Sequence, residues 1–452
     1  MVLATTSRYD SGNVAERGGR AVVVGASVGG SLAARVLSDG FDEVTVFDRG
    51  PLPDEPVARQ GVPQADHAHL LLEGGRVAIE DLLPEYSAEL VSAGGVCLDG
   101  ETDVRQYVRG GFLADGTRQR PMYTASRGLF EQRIRTRVAD LPGVTVREEC
   151  LFVDYLTGEN GAVEGVRVRE DGTERDLRAQ LVVDATGRTS RTPDWLAAQG
   201  YGSPPVDEVH VDISYSTARF ERADDEEWAL SMLPDAPRKR GWAALPIEDG
   251  EWIVGLSGMH GTGTPTDREG FERFLAAMPT DDGRQFVETH EWATDEIHTY
   301  PFPSSVRRRY EALDRFPTGL VVLGDAIASF NPIYGQGMSV AALEALVLHD
   351  CLADGYRSGV APEFFQRVEP TVDAAWQLAV GSDFGFEATE GPKPAGLALT
   401  GRYLDRLLRK AHTDHRLRTA FQRVATLEEA PSSLFRPGIV GRVLRPEFPD
   451  LR

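Results

Sequence analysis

A chain of 452 residues, 41% of them apolar, can bury a large core and is long enough for two or three domains. Its formal net charge of -22 argues against nucleic acid and anionic lipid as partners, and no basic stripe with interleaved aromatics opposes that reading. Lysine occurs only at Lys239, Lys393 and Lys410, a bias that fits either a high-salt cytoplasm or a GC-rich genome. Cys97, Cys150 and Cys351 are isolated, odd in number and without metal-ligand spacing, so reduced thiols in a reducing compartment are expected. Residues 1–19 lack the apolar core of a signal peptide, and no apolar run reaches membrane-spanning length. A soluble cytoplasmic protein with a flexible start is expected.

The stretch Arg20 to Leu37 reads RAVVVGASVGGSLAARVL. Four apolar residues, Ala21 to Val24, meet a glycine turn and then an Ala/Leu run with helical spacing. A buried strand, a tight turn and a helix start make a diphosphate cradle, because the helix start offers unpaired N–H groups and partial positive charge. Ser27 stands where the G-x-G-x-x-G fingerprint has its middle glycine. The next strand, Glu43 to Phe47, ends at Asp48, placed to hold an adenosine ribose.

A Pro-rich loop, 50–63, leads into helical spacing over Leu70 to Leu83. Residues 86–120 predict short strands and turns, with Gly110-Gly111 and Asp115-Gly116 as hairpin signals. Arg127 to Leu141 predicts a helix, and 144–178 a hairpin-like region with turns at Asn160-Gly161 and Asp171-Gly172. Leu181 to Asp184 is a second buried strand, ending in the polar loop Ala185-Thr186-Gly187-Arg188. Residues 208–257 alternate like antiparallel strands and carry Tyr215, Trp242 and Trp252, which pattern alone leaves equally placed in a pocket or a core. A short helix is expected over Asp267 to Ala277. A third apolar strand ends at Gly324-Asp325 and passes through Asn331-Pro332-Ile333-Tyr334-Gly335-Gln336-Gly337 into a long helix ending near Gly355. The rest reads as helical with a break at 391–396, either a cap over a site or a dimer face.

Three strand ends thus carry small residues and a carboxylate, the usual place for a ligand in a doubly wound sheet. The trio resembles the flavoprotein monooxygenases of the para-hydroxybenzoate hydroxylase type over residues 20–355. The resemblance implies an α/β fold: a doubly wound, Rossmann-like FAD-binding domain (20–85, 121–205 and 300–360), an inserted antiparallel-sheet substrate domain (86–120 and 206–299) and a helical C-terminus (361–452). It implies FAD as cofactor, with Gly25, Ser27 and Gly30 at the pyrophosphate and Asp48 and Arg49 at the adenosine end. Arg127, Asp184, Gly187, Gly324 and Asp325 would serve the phosphates and ribityl chain. Pro332, Gly335 and Gly337 would face the flavin ring, with Tyr215, Trp242, Trp252 and Tyr334 around the substrate.

The run Arg59-x-Gly61-Val62-Pro63-Gln64-x-x-His67-x-His69 looks like flavin enzymes of microbial natural-product pathways, the polyether polyketide epoxidases among them. His67 and His69 read as loop packing sooner than as a metal pair. Gly241-Trp242-Ala243-Ala244-Leu245-Pro246 lacks the second Trp of flavin halogenases, and Lys239 sits in a charged cluster, so halogenation is disfavoured. No second dinucleotide fingerprint appears. The implied activity is monooxygenation, an epoxidation or hydroxylation, of a largely apolar small molecule, using NAD(P)H and O2 through a flavin C4a-hydroperoxide. Two alternatives stay open: a non-redox cyclase that uses FAD as a wall, and a geranylgeranyl-reductase-like isoprenoid reductase.

Overall fold

A computed structural model describes residues 2–13, 18–59, 61–62, 64–117, 120–353 and 359–446; Pro63 and Gly355 fall outside these. Strand β1 (Arg20–Val24) lies at the centre of a five-stranded parallel sheet. Across the sheet the order is Leu320–Val322, Leu181–Asp184, β1, β2 (Glu43–Phe47) and Val144–Arg147. Side chains of a strand alternate faces, and here both faces are covered. Ala21 and Val23 pack into the main helical core, while Val22 and Val24 pack beneath an antiparallel meander of Leu151–Thr157, Val163–Glu170 and Thr173–Arg178. That double burial explains the uninterrupted apolar run in the sequence.

Helix α1 (Val28–Leu37) leaves the end of β1 through Gly25, whose φ of +104° and approach to the Ala185 carbonyl both require glycine. A side chain on Gly30 would overlap the Gly25 carbonyl oxygen. Gly30 therefore sets how closely α1 lies against the turn.

The second layer is an eight-stranded sheet around the long strands Val206–Glu221, Glu251–Met259 and His298–Arg308. All its pairings are antiparallel except that of Ala229–Met232 with Val104–Val108. It extends past residue 299 to Arg308. On its outer side, helices Arg268–Ala276 and Asp282–Thr289 close a separate aromatic core around Phe286. The long helix Gly337–Ala353 runs against α1 and against Glu73–Leu82, and helices Val360–Asp383, Leu397–Lys410, His415–Ala425 and Pro437–Leu444 follow.

Four expectations are corrected. Val144–Arg147 joins the parallel sheet beside β2 and forms no part of a hairpin, since Val144 and Val146 have a core-facing neighbour in that sheet. The segment 86–120 opens with a helix, Tyr86–Ser92, because Tyr86, Ser87 and Leu90 share a buried face at helical spacing. Asp115-Gly116 makes no hairpin: the Gly116 N–H donates to the Glu101 carbonyl instead. Within the start expected to be flexible, residues 2–4 are docked: Val2 is buried, and the N–H groups of Leu3 and Ala4 donate to the carbonyls of Leu427 and Glu428 at 3.1 and 3.0 Å.

Gly30→Ala is expected to lower unfolding stability by at least about 2 kcal/mol, because α1 must move off the end of β1. Urea unfolding of the purified variant measures this.

Candidate functional site

The carboxyl edge of the parallel sheet opens into a cavity of ≈ 1490 Å³ that continues across one face of the eight-stranded sheet and beneath the C-terminal helices. Its first end is built on β1 and β2. Gly25, Ser27, Val28 and Gly29 line it, and Ser27 makes no side-chain cap to the α1 N–H groups, so these face the cavity unspent. Asp48 folds back, accepting from the N–H groups of Ala26 at 3.0 Å and Gly50 at 3.1 Å. Arg49 lines the same end and donates to the Gly61 carbonyl at 3.3 Å.

Behind this end lies a buried charge cluster. Glu131, on the helix Arg127–Ala139, accepts from Arg59 Nε at 3.0 Å, from Arg127 Nη2 at 2.9 Å and from the Ser27 hydroxyl. Burial opposes its ionisation, but the two guanidiniums outweigh burial and hold its carboxyl at about 2. Among the described residues, Nη2 of Arg59 and Nε of Arg127 are buried without a hydrogen-bond partner, although both residues line the cavity. Asp48 also pairs with Arg59, its Oδ2 3.4 Å from Arg59 Nη1, so two cations meet two carboxylates beside an uncapped helix start, and it is the helix start that suits a diphosphate.

The middle of the cavity is formed by Gly187, Arg188, Gly324 and Asp325. Burial raises the Asp325 carboxyl above its usual range, against the pull of Arg127, Arg188 and Arg308. Glu344 lies behind, fully buried, accepting from the Gly324 N–H at 2.5 Å, and burial pushes its carboxyl up to about 8. Pro332, Gly335 and Gly337 line the far side, where the helix Gly337–Ala353 begins.

Beyond that turn lies a chamber lined by Tyr215, Tyr334, Asn331, Leu233, Leu245, Leu404, Leu408 and Phe421. The C-terminal helices thus act as a wall of the cavity. His67 is buried, shares a 2.7 Å hydrogen bond between Nδ1 and Thr217 Oγ1, and packs 6.0 and 5.9 Å from the rings of Tyr215 and Tyr300. Burial lowers His67 to about 4 and His69 to about 3, so both are neutral at physiological pH. Among the described residues, no group of three or more His, Cys, Asp or Glu is arranged to hold a metal ion. Nor is any described helix long and apolar enough to cross a membrane.

Three predicted site residues stand elsewhere. Gly30 faces the Gly25 carbonyl and is absent from the cavity wall. Asp184 is buried and absent from the cavity wall, its carboxylate accepting from the Thr186 N–H at 2.9 Å and from the hydroxyls of Thr186, Ser190 and Thr192. Trp252 shares its strand face with Val254 and Leu256, packs 4.5 Å from the Trp228 ring and stays on the side away from the cavity. Trp242 belongs to that same aromatic cluster, though it also borders the cavity.

Sequence reasoning missed Glu131 and Asp383. The first had a signal, four residues after Arg127 on one helix face; the second had none.

Residues 20–365 match the family described as FAD binding domain. The chain is 32% identical over 452 residues to Protein Rv3254 of Mycobacterium tuberculosis, a match covering 96% of this chain and 95% of that protein. It is 25% identical over 348 residues to Squalene monooxygenase SE1 of Panax ginseng, covering 73% of this chain and 58% of that relative. The crystal structure of pqsL from Pseudomonas aeruginosa has a similar fold, with a TM-score of 0.64 at 19% identity over 82% of this chain and 97% of that one.

The charge cluster yields a signed pH prediction. The Glu131 carboxyl sits lower in the folded chain, at about 2, than its ordinary 4.5. Its stabilising contribution is therefore full above about 4.5 and lost as pH falls through about 2. Glu131→Gln is expected to cost about 3 kcal/mol at neutral pH, because two buried guanidiniums lose their counter-charge, with the deficit shrinking in acid. Urea unfolding of both proteins across that pH range measures it.

Proposed function

Because the chain belongs to the FAD binding domain family and is an FAD-dependent oxidoreductase of the monooxygenase kind, we propose that it uses NAD(P)H and O2 to oxygenate a small, largely apolar molecule. The observation that carries this reading is the unbroken cavity from the first glycine turn to the apolar chamber. The residues present fit the cofactor. Arg59 Nη2 and Arg127 Nε, which have no hydrogen-bond partner among the described residues, and the free N–H groups at the start of α1 supply what a diphosphate needs.

In this reading Gly25, Ser27, Val28 and Gly29 hold the diphosphate, and Asp48 and Arg49 hold the adenosine end. Arg127, Gly187, Gly324 and Asp325 serve the chain between the two ends. Pro332, Gly335 and Gly337 receive the ring. FAD supplies the oxygen activation, which no side chain offers.

The chain's own contribution is binding, orientation and exclusion of water. The helix starting at Gly337 brings the positive end of its dipole to the cavity, where reduced flavin would carry negative charge. Leu233, Leu245, Leu404, Leu408 and Phe421 make a dry wall that favours an apolar substrate and keeps water from the reacting atoms. Squalene, in the name of one relative, is a substrate of that apolar character.

Purified holoprotein mixed anaerobically with NADPH is expected to lose its flavin absorbance and regain it when air is admitted. Flavin that stays oxidised, with NADPH or NADH and whatever substrate is offered, contradicts the reading and leaves the non-redox cyclase.

A further inference from the structure

One face of the eight-stranded sheet floors the chamber, and a single row of its residues crosses five strands. Ladder partners stand side by side on one face, so the register gives the row: Thr217 beside Gly255, Gly255 beside Ala243, Ala243 beside Ser231 and Ser231 beside Gln106. All five line the cavity. Gly255 and Ala243 keep the middle of the row low, which makes it a gutter across the strands. Four steps between neighbouring strands give it a length of about 19 Å.

The two ends of the gutter differ. At one, Thr217 Oγ1 shares its hydrogen bond with His67, and Tyr215, on the same strand, donates to Asn331 at 2.9 Å. This end therefore adjoins the turn from Pro332 to Gly337, which receives the ring in the oxygenase reading. At the other end, Gln422 of the helix His415–Ala425 donates from Nε2 to Gln106 Oε1 at 2.7 Å. Both glutamines line the cavity. Among the described residues, Gln106 Nε2 and Gln422 Oε1 have no other hydrogen-bond partner, so the pair keeps one donor and one acceptor group for a ligand. Turning both amides over exchanges their roles and still leaves one NH2 and one carbonyl oxygen.

Charge at this end is already spent. Arg109, on the hairpin that follows Gln106, pairs with Asp235 and, at 3.2 Å, with Asp405. A carboxylate or phosphate entering here would meet two carboxylates and an occupied guanidinium. An amine would gain those carboxylates only by parting them from Arg109.

We propose that Gln106 and Gln422 form a subsite for a neutral carboxamide carried at one end of an elongated apolar substrate. The inference rests on the oxygenase reading of the cavity and names its substrate class. The amide carbonyl accepts from Gln106 Nε2 and its NH2 donates to Gln422 Oε1, which extends the side-chain pair by one member. The apolar body lies along the gutter, with Leu404, Leu408 and Phe421 of the C-terminal helices lining the chamber around it. Its other end comes to Thr217, about 19 Å from the anchored amide, so the subsite selects which carbon is presented to the ring end.

The test uses the oxidised holoprotein without NADPH, so it reads the subsite even where the flavin is never reduced. Decanamide, decanoate and decylamine share one apolar chain and differ in head group. Calorimetric titration near neutral pH is expected to show decanamide bound at least about tenfold more tightly than either charged probe, the worth of two hydrogen bonds made in place of water. Gln106→Leu and Gln422→Leu are each expected to cut that preference to about twofold or less, with flavin content and the affinities for the charged probes unchanged. Should either variant lose its flavin, Gln106→Glu still accepts from Gln422 but lacks the NH2 donor, and it must lose the preference too. The proposal is overturned if decanamide binds no better than the charged probes or if the preference survives in Gln106→Glu. It is equally overturned if the leucine variants weaken all three probes alike, as the loss of a mere clamp between helix and sheet would. A flavin that no nicotinamide donor reduces contradicts the oxygenase reading and leaves this measurement standing.

Discussion

The contact between Gly30 and the Gly25 carbonyl sets how near α1 can lie to the end of β1, and the site is laid out from there. With α1 held this close, the unpaired N–H groups of its first turn face the cavity beside Ser27, and the helix dipole adds positive potential at the same point. Glu131 then gathers Arg59, Arg127 and Ser27 into one buried cluster, which Asp48 joins through Arg59. The strand ends at Gly187 and Gly324 extend the trough in the direction the parallel sheet already dictates.

The far end obeys a different constraint. Its wall is drawn from three parts of the chain: one face of the eight-stranded sheet, the loop before Gly337, and the C-terminal helices. Leucines of the sheet and of the helices line it, and its arginine, Arg109, is paired with Asp235 and Asp405. The two ends therefore ask for different chemistry, an anion at one and an apolar body at the other. Asp383 lies behind that wall, its Oδ1 accepting from the Tyr334 hydroxyl and from Asn331 Nδ2.

Much of this layout was legible in the sequence. The strand–glycine–helix run at 20–37 and the strand ends at Asp48, Gly187 and Asp325 came from apolar runs broken by small residues, a pattern that parallel sheets impose directly. What failed did so for definable reasons. Trp252 was ambiguous because its strand packs one face on the helices around Phe286 while Gly255 and Ser257 of the other line the cavity, and pattern alone does not say which face is which. Asp184 looked like the other strand-end carboxylates, and only the folded loop shows that Thr186, Ser190 and Thr192 consume its oxygens. Asp383 lies 52 residues from Asn331 and meets it only through tertiary packing, which no local spacing encodes.

The account stands or falls on one ligand lying along this trough. A crystal structure of the protein with FAD tests it most directly. The expected result is the adenosine beside Asp48, the diphosphate at the start of α1, and the ring against Gly335 to Gly337. Flavin bound outside the cavity, or lying in the reverse direction with its ring at Asp48, would contradict it.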